Sequence, residues 1–246
     1  MWLRQMKRFI RSRSRVIATI VQPLFFLFLL GSGLRAAMIP GMTGDYIYFL
    51  APGLIAMAIM LSSMYTGVSV LWDKQFGFLQ EVLVAPIGRL SIIIGRTLGG
   101  ATTALIQGFI ILFIAIGLGV PISNISGLLL TLVFMVLIAF TAVGFGLIIA
   151  SKMEDFQGFQ IIMNLLIMPL FFLSTAFFPI ATNPVMPSWV KTLSFLNPLF
   201  YMVDGLRGSL TGLDNTFPPI FDLLIVIVIC SVMMTLGSYF FSKSEA

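Results

Sequence analysis

An all-α membrane protein with six transmembrane helices is the fold class this sequence predicts, and three observations predict it. Of 246 residues, 59% are hydrophobic and only 9% charged, with a mean hydropathy of +1.08; a soluble domain carries roughly 25% charged residues. Apolar runs long enough to cross about 30 Å of hydrocarbon recur along the chain. The basic residues fall overwhelmingly on alternate connections. So little charge excludes a water-soluble enzyme and a nucleic-acid-binding module. The absence of histidine removes any imidazole base, metal centre or proton relay. The single Cys230 lies in an apolar run and has no intrachain disulfide partner.

The first fifteen residues hold Arg4, Lys7, Arg8, Arg11, Arg13 and Arg15 and no acid. Between them Trp2, Leu3, Met6, Phe9 and Ile10 follow helical spacing, the pattern of an amphipathic helix lying in the headgroup layer. The other reading, a signal-peptide n-region, fits poorly. The apolar run that follows is too long for such a leader, and no small-residue cleavage site follows it cleanly.

Spans are expected over about 16–34, 46–71, 92–118, 126–150, 159–178 and 222–241, within a single transmembrane domain covering 1–246. Eleven of the 14 basic residues then lie on one side, and only Arg35, Lys191 and Arg207 lie on the other. The positive-inside rule puts both termini in the cytoplasm, as an even number of spans requires. Arg96, a turn inside the third span, is expected to snorkel toward the inner interface. Small residues spaced four apart at Gly95/Gly99, Gly100/Ala104/Gly108 and Ala142/Gly146/Ala150 predict close helix packing.

Three segments carry the functional reading. The connection 72–89 places Trp72, Phe76, Leu79 and Leu83 on one helical side, with Asp73, Gly77 and Glu81 beside them, until Pro86 ends the helix. It reads either as an amphipathic helix whose acidic rim docks on a soluble partner or as an interfacial anchor. The outer segment 179–219 is too apolar for a solvated loop. Ser188 is expected to cap a short helix bearing Trp189, Leu193 and Leu196 on one face. Asn197-Pro198 then breaks the chain before a second apolar face of Leu199, Met202, Val203, Leu206 and Leu210. Asp204 and Arg207 pair there at i,i+3; if they brace the helix, either single charge reversal should impair export and the double swap should partly restore it. The segment is a gate or a structural cap. Within the spans, Met57, Met60 and Met64 form a soft stripe, while Gln157, Gln160 and Asn164 form a polar one. Both suit helix packing or a translocation path. Asp222, at the outer end of the last span, is expected to be solvated.

No G-x-x-x-x-G-K-[ST] sequence is present, so this chain has no P-loop for nucleotide phosphates. Nor is there a carboxylate deep in a span to serve as a proton or sodium site. If transport is powered, the energy arrives from another subunit. The competing class is an ion- or gradient-driven carrier or channel working alone.

Nearly end to end, the chain resembles the type-2 ATP-binding-cassette exporter permeases, which move drugs, lipids or polysaccharides. The resemblance rests on Gln22-Pro23 and Gly31, Tyr46 with Phe49-Leu50-Ala51-Pro52-Gly53, and Trp72-Asp73 through Gly77, Glu81 and Ala85-Pro86 to Gly95-Arg96. It continues in Phe178-Pro179, Pro187, Trp189, Asn197-Pro198-Leu199, Tyr201, Asp204 and Leu206-Arg207. The family implies a non-catalytic, multi-pass subunit of a prokaryotic cytoplasmic membrane. It pairs with a second permease, expected to be a second copy, and with two separate cytosolic ATPase subunits. Those subunits carry the ATP and Mg, with no cofactor or metal on this chain. The link with Asp73, Phe76, Gly77, Glu81 and Pro86 would be the coupling helix, and Trp189 to Arg207 the hairpin between the last two spans.

Overall fold

The computed structural model describes residues 1–33, 45–75, 89–153 and 155–243. Among them are nine helices and no strand: α1 Trp2–Arg11, α2 Arg13–Gly33, α3 Tyr46–Gln75, α4 Arg89–Gly117, α5 Ile125–Lys152, α6 Phe156–Phe172, α7 Ser188–Leu196, α8 Pro198–Leu210 and α9 Pro219–Lys243. In hydrocarbon each backbone N–H and C=O must find its partner within the segment, and helices are how an apolar chain does so. Among the described residues, four helices are long and apolar enough to cross a membrane: Tyr46–Asp73, Ser91–Gly117, Ile125–Lys152 and Pro219–Lys243. The apolar parts of the other two expected spans are shorter, at Ile20–Gly31 and Phe156–Phe172.

The helix starts follow local chemistry. Asn124 caps α5 by accepting from the Gly127 N–H at 2.5 Å, and Asp155 caps α6 by accepting from the Gly158 N–H at 2.5 Å. The end of α6 corrects the expected fifth span, which ran to 178. Helix α6 stops at Phe172, and the chain then turns. The Ser174 hydroxyl donates to the Phe171 carbonyl at 2.8 Å, satisfying one of the carbonyls that a helix end orphans. Ser188 likewise does not cap α7; Pro187 holds that place, with no side-chain bond, and Ser188 is the first helical residue.

Helix α3 is the centre of the bundle, packed against α2, α4, α5, α6 and α8, while α5 is clasped between α3 and α9. The small-residue ridges are what bring these helices together. A Cβ on Gly67 of α3 would stand 2.6 Å from the Gly146 carbonyl of α5. One on Gly144 would stand 2.7 Å from the Met233 carbonyl of α9, and one on Gly237 would stand 2.7 Å from the Gly144 carbonyl. On α4 the ridges divide their work: Gly108 faces Ile59 of α3, whereas Gly95 and Gly99 seat Met1 and Gln5 of α1. Helix α1 therefore lies across α4, with Trp2, Leu3 and Ile10 exposed and its Trp2 indole donating to the Thr102 hydroxyl at 3.1 Å.

Candidate functional site

At the end of α3 that carries the 72–89 link, the sequence placed an acid on a solvent-facing rim and an arginine snorkelling nearby. The structure corrects both placements by joining them. Asp73 is buried, and its Oδ2 accepts from Arg96 Nη2 at 2.8 Å and from Arg4 Nη2 at 2.5 Å. Arg96 is 1% exposed and lies over the Phe241 ring at 5.6 Å. A guanidinium held by a carboxylate and an aromatic face has no need to reach for water. Arg8 of α1 covers the Trp72 ring at 4.7 Å, a second tie between α1 and the last turn of α3. The start of the link is thus pinned to α1, α4 and α9. Phe76, Gly77, Glu81 and Pro86 lie outside the described residues.

At the other end, Asn197 ends α7 and caps α8, accepting from the Leu199 N–H at 3.0 Å with Pro198 at the first helical position. Its amide also donates to the Leu170 carbonyl of α6 at 2.6 Å, which ties the outer segment to the fifth apolar helix. The expected apolar face of α8 is buried throughout, from Leu199 to Leu210. On α7, by contrast, Trp189, Leu193 and Leu196 are exposed. The Tyr201 hydroxyl donates to the Phe195 carbonyl at 2.9 Å and so holds α7 to α8.

Asp204 and Arg207 do pair, but loosely and in the interior: Nη1 to Oδ1 is 3.9 Å, and neither side chain reaches solvent. Each has closer partners. Arg207 donates from Nε to the Phe49 carbonyl at 3.2 Å and from Nη2 to the Thr175 carbonyl, and stacks 3.7 Å above the Phe49 ring. Asp204 accepts from the backbone N–H groups of Thr216, at 2.8 Å, and Phe217, at 2.9 Å. Burial pulls the Arg207 guanidinium down to about 10 while Asp204 pulls it up, so it stays charged at neutral pH. Burial pushes the Asp204 carboxyl up, against Arg207 and the two backbone donors. Asp222, expected to be solvated, is fully buried near Asp204.

The methionine stripe divides. Met57 sits in the core; Met60 lines a cavity of about 100 Å³ among α5, α6, α8 and α9 with Met202 and Met233. Met64 lines a second cavity, of about 70 Å³, between α3 and α6 together with Gln160 and Asn164. The structure therefore brings three of the five path candidates to one place. Gln160 and Asn164 are exposed along α6, and so is Gln157. The ties that the sequence reading missed are Arg4 and Arg96 on Asp73, and Phe49 and Thr175 on Arg207. An acid and an arginine near neighbouring ends of successive spans were the available signal for the first; the second pairs groups 158 and 32 residues apart and left none.

Comparison with known proteins points one way. The family described as ABC-2 type transporter matches residues 1–211. The inner membrane transport permease YadH of Escherichia coli strain K12 is 28% identical over 234 residues, covering 93% of this chain and 88% of that protein. The transport permease ycf38 of Cyanophora paradoxa is 29% identical over 195 residues, 78% of this chain and 66% of that protein. The multidrug ABC transporter permease YbhR of the same E. coli strain is 33% identical over 162 residues, 65% of this chain and 43% of that protein. The chain thus spans just under two thirds of the ycf38 relative and less than half of YbhR.

Proposed function

The chain belongs to the ABC-2 type transporter family, and from that premise we propose that it is the membrane permease of an exporter driven by ATP hydrolysed on a separate chain. A transport permease role in a membrane is common to the family and its named relatives. Beyond that, the reading is of a single six-span domain with both termini cytoplasmic, in which α2 and α6 cross alongside the four longer helices. The family match over a chain that carries no P-loop is the observation on which the reading rests.

The two cytosolic ATPase subunits, holding ATP and Mg, dock on the link at Phe76, Gly77, Glu81 and Pro86. Asp73 transmits their movement, because its ties to Arg4 and Arg96 leave little slack between the link and the helices around it. A second copy of the chain supplies the other half of the path. What favours this arrangement is α6, whose main helix neighbour among the described residues is α3 and which leaves Gln160 and Asn164 exposed at i,i+4. Amides at hydrocarbon depth are stabilised by hydrogen bonds across a helix interface. Met64, Gln160 and Asn164 then line the route, and the outer hairpin from Trp189 to Arg207 closes it. The cargo is hydrophobic or amphipathic, a drug, lipid or glycan, and it leaves the cytoplasm.

The test is co-purification with the cognate ATPase, followed by cargo-stimulated ATP hydrolysis in proteoliposomes. Glu81→Arg should weaken assembly and abolish stimulation. Intact assembly with full stimulation would remove the coupling role of the link.

A further inference from the structure

One buried carboxyl has no charge or donor set against it. Asp222, in the first turn of α9, is 0% exposed, and among the described residues no donor reaches either of its oxygens. The free amides of a helix's first turn often serve an acid placed there, but they do not serve this one. A buried carboxylate with neither donor nor counter-ion is among the most costly groups a protein can hold. The position therefore calls for something that removes its charge.

What faces Asp222 is a second carboxyl. Helix α9 meets α8 at Gly205, where a Cβ would stand 2.9 Å from the Asp222 Cβ and would run into the Phe134 ring of α5. The Asp204 carboxyl, one residue back, lies within hydrogen-bonding reach of Asp222. The two acids are not equivalent. Asp204 accepts from the Thr216 and Phe217 N–H groups and has Arg207 at 3.9 Å, all of which favour its anion; Asp222 has none of these. Around them, the Tyr201 hydroxyl of α8 donates to the Phe195 carbonyl, and the Tyr46 hydroxyl of α3 donates to the Phe177 carbonyl. Asp214, past the end of α8, adds negative charge on the Arg207 side. Helix α5 presents Phe134 here, and its charged residue, Lys152, lies in its last turn. One guanidinium thus stands against two buried carboxyls, and one negative charge is left over.

A metal ion is a poor occupant. It needs several oxygens, whereas Asp204 has its own engaged, Arg207 would repel it, and the close crossing at Gly205 leaves it little room. A proton needs no space. We propose that Asp204 and Asp222 form a proton-binding site, one proton shared between the two carboxyls, which fastens α8 to the start of α9. The proton turns an acceptor into a donor: the Asp222 carboxyl donates to Asp204, whose remaining charge stays with Arg207 and the two backbone N–H groups. Release of the proton leaves two anions side by side, which repel, so the outer hairpin loosens from α9 as pH rises. The site needs no ATPase, and failure of the coupling reading leaves it untouched.

Infrared spectroscopy of the full chain in liposomes reads the proton, as the carbonyl stretch of a protonated carboxyl, and hydrogen exchange reads the fastening. At neutral pH wild type should show the band and Asp222→Asn should lack it. Raising the pH should remove the wild-type band. Over that range the protection of the amides of α8 and of the first turn of α9, corrected for intrinsic exchange, should fall by up to about ten-fold per pH unit, the slope of one proton. Asp222→Asn can donate its amide to Asp204 at any pH and should keep the protection throughout. Asp222→Leu, which can make no such bond, should exchange faster than Asp222→Asn. Asp204→Asn should carry the band only at lower pH, because its amide can bond an anionic Asp222. The proposal is overturned by no band in wild type at neutral pH, by a band that survives Asp222→Asn, or by an unmoved band in Asp204→Asn. Loss of the band at constant pH on adding sodium or calcium would also overturn it, by giving the site to a cation. The wild-type titration needs no variant: a band that fades with no loss of protection rejects the fastening.

Discussion

Replacing Arg207 by methionine keeps its length and apolar stem and removes everything that its head group does. The losses are two charge-assisted hydrogen bonds, to the carbonyls of Phe49 and Thr175, and a cation–π contact at 3.7 Å. Such bonds contribute about 1.5–3 kcal/mol each and the ring contact about 0.5–2 kcal/mol. Relief from burying a cation offsets part of this, and breaking a buried ion pair costs about 3–5 kcal/mol overall. The lower end applies, because Asp204 keeps its bonds from Thr216 and Phe217. Unfolding of the full chain in mixed micelles, titrated with dodecyl sulfate and followed by fluorescence, should show Arg207→Met less stable by about 3 kcal/mol. Arg207→Lys should recover less than half, since one ammonium cannot span two carbonyls in different segments. In a double-mutant cycle, Asp204→Asn and Arg207→Met should couple by no more than about 1 kcal/mol, given the 3.9 Å separation. The geometry argues against the expected partial rescue by exchanging the two charges, because a cation at 204 would face the N–H groups of Thr216 and Phe217. Stability of Arg207→Met within about 0.5 kcal/mol of wild type, the ordinary range of a surface change, would refute the reasoning.

Two further outcomes follow from the same geometry. Asp73→Ala, which removes the carboxylate that Arg96 and Arg4 share, should destabilise by about 3 kcal/mol, the low end for breaking a buried ion pair, whereas Arg4→Gln, removing the more exposed partner, should cost under about 1 kcal/mol in the same titration. Because burial raises the Asp204 carboxyl, the native state holds its proton at pH values where the unfolded chain has lost it. That contribution is fully present below the ordinary carboxylate range and is lost as pH rises through the raised value. Unfolding midpoints measured across this range should fall with rising pH in wild type and fall less steeply in Asp204→Asn, where the buried Asp222 still contributes.

What the sequence made legible was whatever depends on one helix at a time. The apolar runs mark α3, α4, α5 and α9, and the spacing from Leu199 to Leu210 marks the buried face of α8. Small residues four apart mark the crossings at Gly99, Gly108 and Gly146. Arg96 was misjudged because snorkelling assumes that water is the only available partner, and Asp73 lies 23 residues back in the chain. Asp222 was placed in solvent because it stands near a span end, a rule that fails where a hairpin folds over that end. The cavity that Ser62, Thr66 and Ser69 of α3 share with Thr103 and Gln107 of α4 was missed, although the first three recur at helical spacing and the last two stand four apart. In an apolar chain, hydroxyls on two helices give no sign that they face each other until the helices are packed.

The crossings of Gly67 with Gly146, and of Gly144 with Met233 and Gly237, press main chain against main chain. Side chains at a contact can switch rotamer and let two helices slide; peptide planes offer no such alternative. α3, α5 and α9 are thereby welded into one strut that resists shear. Whatever changes shape during a working cycle pivots about this strut, and α6, which touches it only through α3 and is tied at its outer end by Asn197, is the element best placed to swing.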